Sequence, residues 1–157
     1  MKQYNKLQNI GIISDTHGIL KSGVVEVFSA CDLIIHAGDI DIPDVLKGLK
    51  AIAPVVAVRG NMDRGKWAIK LPQSESVEVD ETLIYVLHDI DELDLDPAGA
   101  GISAVISGHT HRPCKEEKKG VLYLNPGSAG WPKSNCAATV ILMRVQGVSL
   151  IPEFIEL

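Results

Sequence analysis

The sequence predicts an α/β layered fold built on at least one mainly parallel sheet. Two observations lead there: short β-branched runs alternate with helical segments through the first half of the chain, and the second half is richer in strands. A third gives the fold a direction. Five of the strands stop on Gly, Asp, Asn or His, and in such sheets ligands bind outside the C-terminal strand ends.

Taken in order, residues 9–14 are an isoleucine-rich run that suits a buried strand, and the run stops at the loop Asp15-Thr16-His17-Gly18. Residues 20–30 place Val24, Val27 and Phe28 at helical spacing, and 33–37 is a second buried run ending at Gly38-Asp39. Pro43 opens a helix over 43–49, where its missing N–H would be unpaired anyway and its fixed φ suits the first turn. The β-branched run 55–58 ends at Arg59-Gly60-Asn61. After Trp67 the rhythm changes: 76–79 and 82–87 are strands joined by a tight Asp80-Glu81 turn, hence antiparallel, and the second ends at His88. An acidic stretch over 89–96 leads through Pro97 to a strand over 104–107 that ends at Gly108-His109-Thr110-His111. Residues 121–124, 137–145 and 148–152 complete the strands, the last two forming a hairpin through Gln146-Gly147. No repeat, linker or low-complexity tract interrupts the chain, so residues 1–157 are expected to form one domain.

Hydrophobic residues at 46% and charged residues at 22% suit a folded chain and exclude a disordered one. A net charge of -5 offers no extended basic surface for nucleic acid or anionic lipid. No apolar run approaches the roughly 20 residues that cross a bilayer, and the first residues lack the apolar core of a signal peptide. A cytoplasmic location is therefore expected. Cys31, Cys114 and Cys136 are odd in number and far apart, so they read as reduced thiols, with a packing role for Cys31 and Cys136 among apolar neighbours.

Asp15 and His17 stand two apart in a Gly-containing loop, where both can turn toward one ion. Gly108-His109-Thr110-His111 is the stronger signal, because two imidazoles beside a glycine can offer neutral nitrogen lone pairs from adjacent directions. Each piece alone has an ordinary explanation as a turn residue or a hydrogen-bonded histidine. Their coincidence does not: four of the five histidines follow directly on strands, together with Asp15, Asp39 and Asn61. A donor set of carboxylate, imidazole and amide oxygen is ill matched to thiolate-type metal chemistry and suits manganese, iron or zinc.

The order Asp15-x-His17, Gly38-Asp39, Gly60-Asn61-x-Asp63, His88 and Gly108-His109-x-His111 resembles that of the calcineurin-like metallophosphoesterases. Within them it is similar to the small single-domain bacterial and archaeal phosphodiesterase branch, which shares a segment like Asn125-Pro126-Gly127-Ser128. The resemblance runs from about Ile10 to Ser128. It implies an α/β fold in which a two-sheet β-sandwich is flanked by helices, and hydrolysis of a phosphoester, a phosphodiester foremost, by a hydroxide bridging two divalent ions. It also implies the ligand set: Asp15, His17 and His111 on one ion, Asn61, His88 and His109 on the other, and Asp39 bridging. Asp39, Asn61 and His109 are the implied catalytic residues. Mn²⁺ is the first choice of metal, with Zn²⁺, Fe²⁺ or Ni²⁺ as alternatives; the implied partners are a small phosphodiester and, as in relatives that form dimers or larger assemblies, further copies of the chain.

One departure matters. Many relatives place a histidine directly after the Asn of the Gly-Asn motif, where it can protonate the leaving group; here that position is Met62, and a thioether has no proton to donate. General-acid help is worth about 10²–10⁴-fold, so slow turnover of poor leaving groups is expected. Small relatives of this branch often lack that histidine too. Asp63 reads equally as a partner orienting a ligand and as a turn-stabilising aspartate. His36 reads as a hydrogen-bonded core or supporting histidine, Arg112 as a solvated residue able to approach a phosphate, and residues 125–128 as a turn or a source of backbone groups near the site. Two further functions share these residues. The fold class includes a scaffold of eukaryotic membrane-coat assembly with an impaired metal site, and phosphomonoesterases share the metals but grip phosphate with inserted loops. All seven ligand positions carry metal-competent side chains, which favours catalysis over a scaffold, and 157 residues leave little room for insertions. Loops 64–72 and 89–97 are expected to select the substrate.

Overall fold

The computed structural model describes residues 1–157. In chain order it runs β1 (Lys2–Tyr4), β2 (Asn9–Ile13), α1 (Ser22–Val27), β3 (Leu33–His36), α2 (Pro43–Lys50), β4 (Val55–Ala57), α3 (Lys66–Ile69), β5 (Ser74–Val79) and β6 (Thr82–Leu87). A 3₁₀ turn (Ile90–Glu92) is followed by β7 (Ala104–Ile106), β8 (Pro113–Lys118), β9 (Val121–Pro126), β10 (Thr139–Gln146) and β11 (Ser149–Glu156). No helix is long and apolar enough to cross a membrane.

Two sheets result. The five-stranded sheet has the order β11-β10-β2-β3-β4, with β2, β3 and β4 parallel and the β10–β11 hairpin antiparallel to them. The six-stranded sheet has the order β1-β5-β6-β7-β9-β8, in which β6, β7 and β9 run parallel and the two hairpins β5–β6 and β8–β9 are antiparallel. Side chains alternate across each strand, so β2 sends Ile10 and Ile12 to one face and Ile13 to the other. Ile10, Ile12, Leu33 and Ile35 of the five-stranded sheet meet Val77, Ile84, Val86, Ile106 and Leu124 of the six-stranded sheet in the main core, which therefore lies between the sheets. The outer face, through Ile13, Ile34 and Val140, packs on Phe28 after α1 and on Val45, Leu46 and Leu49 of α2. Gly11 is required there, since a β-carbon would sit 2.9 Å from the Phe28 ring.

The sandwich agrees with the predicted class, but its helical flanks are unequal. Helices cover only the five-stranded sheet; the outer face of the other is covered by Ile90, Leu93, Leu95 and Ile102, from a segment whose one regular piece is the 3₁₀ turn. The helix expected over 20–30 contracts to Ser22–Val27, because Phe28 leaves helical geometry and Ser29 folds its hydroxyl back onto the Glu26 carbonyl at 2.9 Å. Two strands went unpredicted. β1 is only three residues on a sheet edge, Lys2, Gln3 and Tyr4, of which Tyr4 alone reaches the core, and β8 has every side chain exposed and is held through its ladder with β9. Neither carries the alternating apolar pattern that marks a strand. The 82–87 strand and both hairpins form as expected, the second in register from Thr139↔Glu156 to Gln146↔Ser149.

Candidate metal centre

Where β2, β3 and β4 end, the chain turns into loops that carry Asp15, His17, Asp39 and Asn61; His88 follows β6, and His109 and His111 follow β7. The first two loops are laced together by Asp15 N–H to Gly38 O, His17 N–H to Asp39 O and Gly18 N–H to Ile40 O at 2.8–3.0 Å. Gly108 N–H likewise donates to His88 O at 2.9 Å, so the ligand-bearing ends of both sheets are fixed before any ion enters. Asp15, His17, Asp39, His109 and His111 all adopt positive φ, between 46° and 72°, an unusual concentration of left-handed backbone on non-glycine residues.

Donor atoms from Asp15, His17, Asp39 and His111 lie within 4.8 Å of one another. His17 Nε2 faces His111 Nε2 at 3.1 Å, and His111 Nε2 is 3.2 Å from Asp15 Oδ1. Asp39 Oδ2 is 3.8 Å from His17 Nε2 and 3.3 Å from His88 Nε2, so one carboxylate oxygen reaches both histidines. On the far side, Asn61 Oδ1 is 3.0 Å from His88 Nε2 and 3.2 Å from His109 Nδ1. All seven residues named from the sequence thus converge, four around one point and three around a second, with Asp39 between them. Asp15, Asp39 and His88 are buried, while the His109 side chain is 43% exposed.

The outward nitrogens of His17, His88 and His111 are hydrogen-bonded. His111 Nδ1–H donates to Trp131 O at 2.7 Å and His88 Nδ1–H to Ala37 O at 2.7 Å; a carbonyl only accepts, so these contacts fix the tautomer. His17 Nδ1 meets Asp41 Oδ2 at 3.3 Å, and His109 Nε2 lies 3.8 Å from Asp89 Oδ2. His17 and His111 therefore turn Nε2 lone pairs toward each other, while His88 Nε2 faces Asp39 Oδ2, to which it donates when protonated. Asp15 Oδ2 accepts from Ser14 Oγ at 2.7 Å and from His109 N–H at 3.0 Å, but Asp15 Oδ1 is buried with no hydrogen-bond partner. Two imidazole lone pairs facing each other beside an unpartnered buried carboxylate oxygen are unfavourable unless a cation sits among them. The residues fit a divalent ion.

Burial raises the Asp15 pKa, partly offset by the Ser14 hydrogen bond and the nearby His88 and His111. Burial also works to raise Asp39, but hydrogen bonds from His88 and from Met62 N–H outweigh it and hold that carboxyl low. His88 moves the other way: burial disfavours its charge, yet the Asp39 hydrogen bond and charge overcome this and hold its pKa above the ordinary value. His36, fully buried, is pushed down to about 3, foremost by burial. It accepts from Gly38 N–H at Nδ1, 3.1 Å, and so donates from Nε2 to Thr16 Oγ1, 3.0 Å, a neutral brace under both loops and not a ligand.

The structure also sorts the supporting residues. Asp63 touches no ligand side chain; its carboxylate accepts from the backbone N–H groups of Asp39, Ile40, Asp41 and Gly60 at 2.8–3.0 Å, folding the loop that presents Asp39. Asn125 Nδ2 donates to Gly108 O at 2.9 Å and Ser128 Oγ to Asp15 O at 2.7 Å, so residues 125–128 brace two ligand-bearing loops through side chains. Arg112 is exposed and forms no ion pair, and Met62, 47% exposed, contributes its backbone N–H to Asp39 Oδ1 at 2.9 Å. Sequence reasoning missed Asp41, Ser14 and Asp89. The Asp39-x-Asp41 spacing could have revealed the first; the Trp131 carbonyl leaves no trace in side-chain identity.

Two stacked sheets whose strand ends bring carboxylate, imidazole and amide donors to one cleft are the arrangement of a metallophosphoesterase-like domain with a candidate divalent-metal site. Residues 9–147 match the calcineurin-like phosphoesterase superfamily domain, and the chain belongs to that superfamily. It is 35% identical, over 94% of its length and 91% of the relative's, to a probable metallophosphoesterase of Methanothermobacter thermautotrophicus. Its fold resembles that of an archaeal phosphodiesterase with a TM-score of 0.79 at 25% identity, covering 94% of this chain and 99% of that one. Vps29 from Chaetomium thermophilum superposes equally well, TM-score 0.79 over 94% of this chain and 97% of its own, at 19% identity; that likeness shows the fold alone.

Proposed function

We propose that this chain hydrolyses small phosphodiesters with two divalent ions, Mn²⁺ foremost. Asp15, His17 and His111 hold one ion, Asn61, His88 and His109 hold the other, and Asp39 bridges. The observation that carries the reading is the position of Asp39 Oδ2, 3.8 Å from His17 Nε2 and 3.3 Å from His88 Nε2, where a single oxygen serves both donor groups. Such ions supply Lewis acidity toward phosphoryl oxygens and a water made nucleophilic near neutral pH. The chain's own residues do the rest. Asp41, Ala37 O and Trp131 O keep protons on the outward nitrogens of His17, His88 and His111, and Ser14 Oγ and the His109 N–H turn Asp15 Oδ1 inward.

A diester is favoured over a monoester by charge. Asp41, Asp89 and Glu92 line the grooves beside the centre against one cation, Arg59, and a monoester brings about one more negative charge than a diester. The phosphodiesterase among the structural neighbours points the same way. Protein stripped of metal and reloaded with Mn²⁺, Zn²⁺, Fe²⁺ or Ni²⁺ should cleave bis(4-nitrophenyl) phosphate faster than 4-nitrophenyl phosphate. Asp39→Asn should lower that rate more than about hundredfold, since even residues that only orient a ligand cost 10–100-fold. Silence toward both esters with every metal would refute hydrolysis, and faster monoester cleavage would refute the diester assignment.

A further inference from the structure

Trp131 is 60% exposed and belongs to none of the hydrophobic clusters, so its indole contributes nothing to the core. The other tryptophan, Trp67, packs against the cluster beneath the five-stranded sheet. Yet the backbone of Trp131 is firmly held: its N–H donates to Ser128 Oγ at 2.8 Å, its carbonyl accepts from His111 Nδ1 at 2.7 Å, and Gly130 N–H reaches Asp15 O at 3.3 Å. The fold thus holds the backbone of Trp131 beside the metal centre and leaves most of the residue exposed. With His17, Asp41 and His111 it lines a shallow, wide-open groove beside the donor atoms.

The groove on the other side of the centre is different. It has a volume of about 320 Å³ and no apolar residue, presenting Arg59, Gln73, Asp89 and Glu92 around the His88–His109 side. A phosphoester seated at the ions has its two substituents directed into unlike surroundings, and only the Trp131 side offers a flat apolar surface. We propose that Trp131 is a stacking platform that selects phosphoesters carrying a planar aromatic group, a nucleobase or a simple aryl ring, in the groove beside His17 and His111. The proposal rests on the metal-dependent phosphoesterase reading, because the phosphoryl group must sit at the ions for its ring to reach the indole.

Phosphonates test this without turnover, since their P–C bond is not hydrolysed. Phenylphosphonate and ethylphosphonate carry the same charged head and differ in the ring. Their dissociation constants are measured by calorimetry on the metal-loaded protein, and the methylenephosphonate isosteres of adenosine 5′-phosphate and ribose 5-phosphate form a second pair. The wild type should favour the ring-bearing member by about 3–10-fold, the scale of aromatic stacking. Trp131→Ala should bring the ratio to near one and Trp131→Phe should keep most of it. The ratio is the readout, so a general change in metal loading cancels. The pair with the larger Trp131-dependent preference names nucleoside or simple aryl as the ligand. A preference unchanged in Trp131→Ala, no preference in the wild type, or no binding of either head group overturns the proposal. Absence of turnover of both the diester and the monoester, with normal phosphonate binding, would instead overturn hydrolysis and leave the platform standing.

Discussion

Asp15 Oδ2 accepts two hydrogen bonds, while Asp15 Oδ1, buried and unpartnered, faces the lone pair of His111 Nε2 at 3.2 Å. In Asp15→Asn the amide oxygen can keep both accepted bonds and the amide nitrogen can donate to His111. The metal-free variant is therefore expected to be more stable than the metal-free wild type by about 1 kcal/mol, the scale of one repaired buried polar group, while losing most of the stabilisation that Mn²⁺ confers. Urea titrations with chelator and with Mn²⁺ read both effects, and a metal-free variant weaker than wild type would contradict the account. His88 supplies a pH prediction. Its pKa is raised, so just above the ordinary histidine range it still carries on Nε2 the proton that a metal must displace. Metal affinity should fall as pH drops through that region, by up to tenfold per pH unit per displaced proton. Calorimetry in buffers of different ionisation enthalpy should find more protons released at pH 7 than at pH 8, and fewer in His88→Ala. At Met62 the missing acid can be restored: Met62→His should speed cleavage of alkyl esters by about tenfold or more and leave 4-nitrophenyl esters, which need no proton, little changed. Equal gains on both would show that protonation was not limiting. These side chains were legible in the sequence because metal chemistry restricts residue types; the carbonyls of Ala37 and Trp131 that orient His88 and His111 were not, since any residue supplies a carbonyl.

The strands end where the sequence runs out of β-branched residues, and this is why the loops at 15–18, 38–39, 60–61 and 108–111 could be placed from patterning. Their backbone conformation could not. Left-handed φ at His17, His109 and His111 has no signature in residue type and persists because the loops are cross-braced at Gly38, Asp39 and His88. Strand β8, with Lys115-Glu116-Glu117-Lys118, exposes every side chain and announces itself only as a charged edge. Gly38 is the one glycine in the Gly-Asp loop whose role is strictly steric. Its φ is +99°, and a β-carbon there would lie 2.7 Å from His88 Nδ1 and 2.9 Å from Gly60 N. Gly38→Ala should destabilise the protein by about 2–3 kcal/mol, combining left-handed strain with overpacking, and should weaken metal binding by displacing His88. Gly120→Ala is the matched control, with φ +77° and nothing within 4 Å of the added carbon, so it should cost only about 1 kcal/mol and leave the metal site unaltered. Equal losses would mean that the crowding at His88 relaxes freely.

Periodicity along the chain separates buried from exposed strands but says nothing about which strand lies beside which, so the pairing of β10 with β2 and of β1 with β5 had no local signal. The sandwich was legible only through resemblance, and its consequence for the site lies at the scale of the whole molecule. Asp15, His17, Asp39 and Asn61 hang from the five-stranded sheet, and His88, His109 and His111 from the six-stranded one. Each proposed ion therefore takes ligands from both sheets and joins the open ends of the sandwich. Only the native arrangement gathers these residues, so binding stabilises the folded state by mass action, about 2.7 kcal/mol when free metal is a hundredfold above its dissociation constant. For a chain of this length that corresponds to a rise in Tm of about 5–10 °C. Hydrogen exchange should place the new protection at the strand ends of both sheets, in 14–18, 37–41 and 59–62 together with 88 and 107–111, and leave β8 and the β10–β11 turn unchanged. Protection confined to one sheet would mean that the ions do not bridge, and His88→Ala should then shift Tm no differently from wild type.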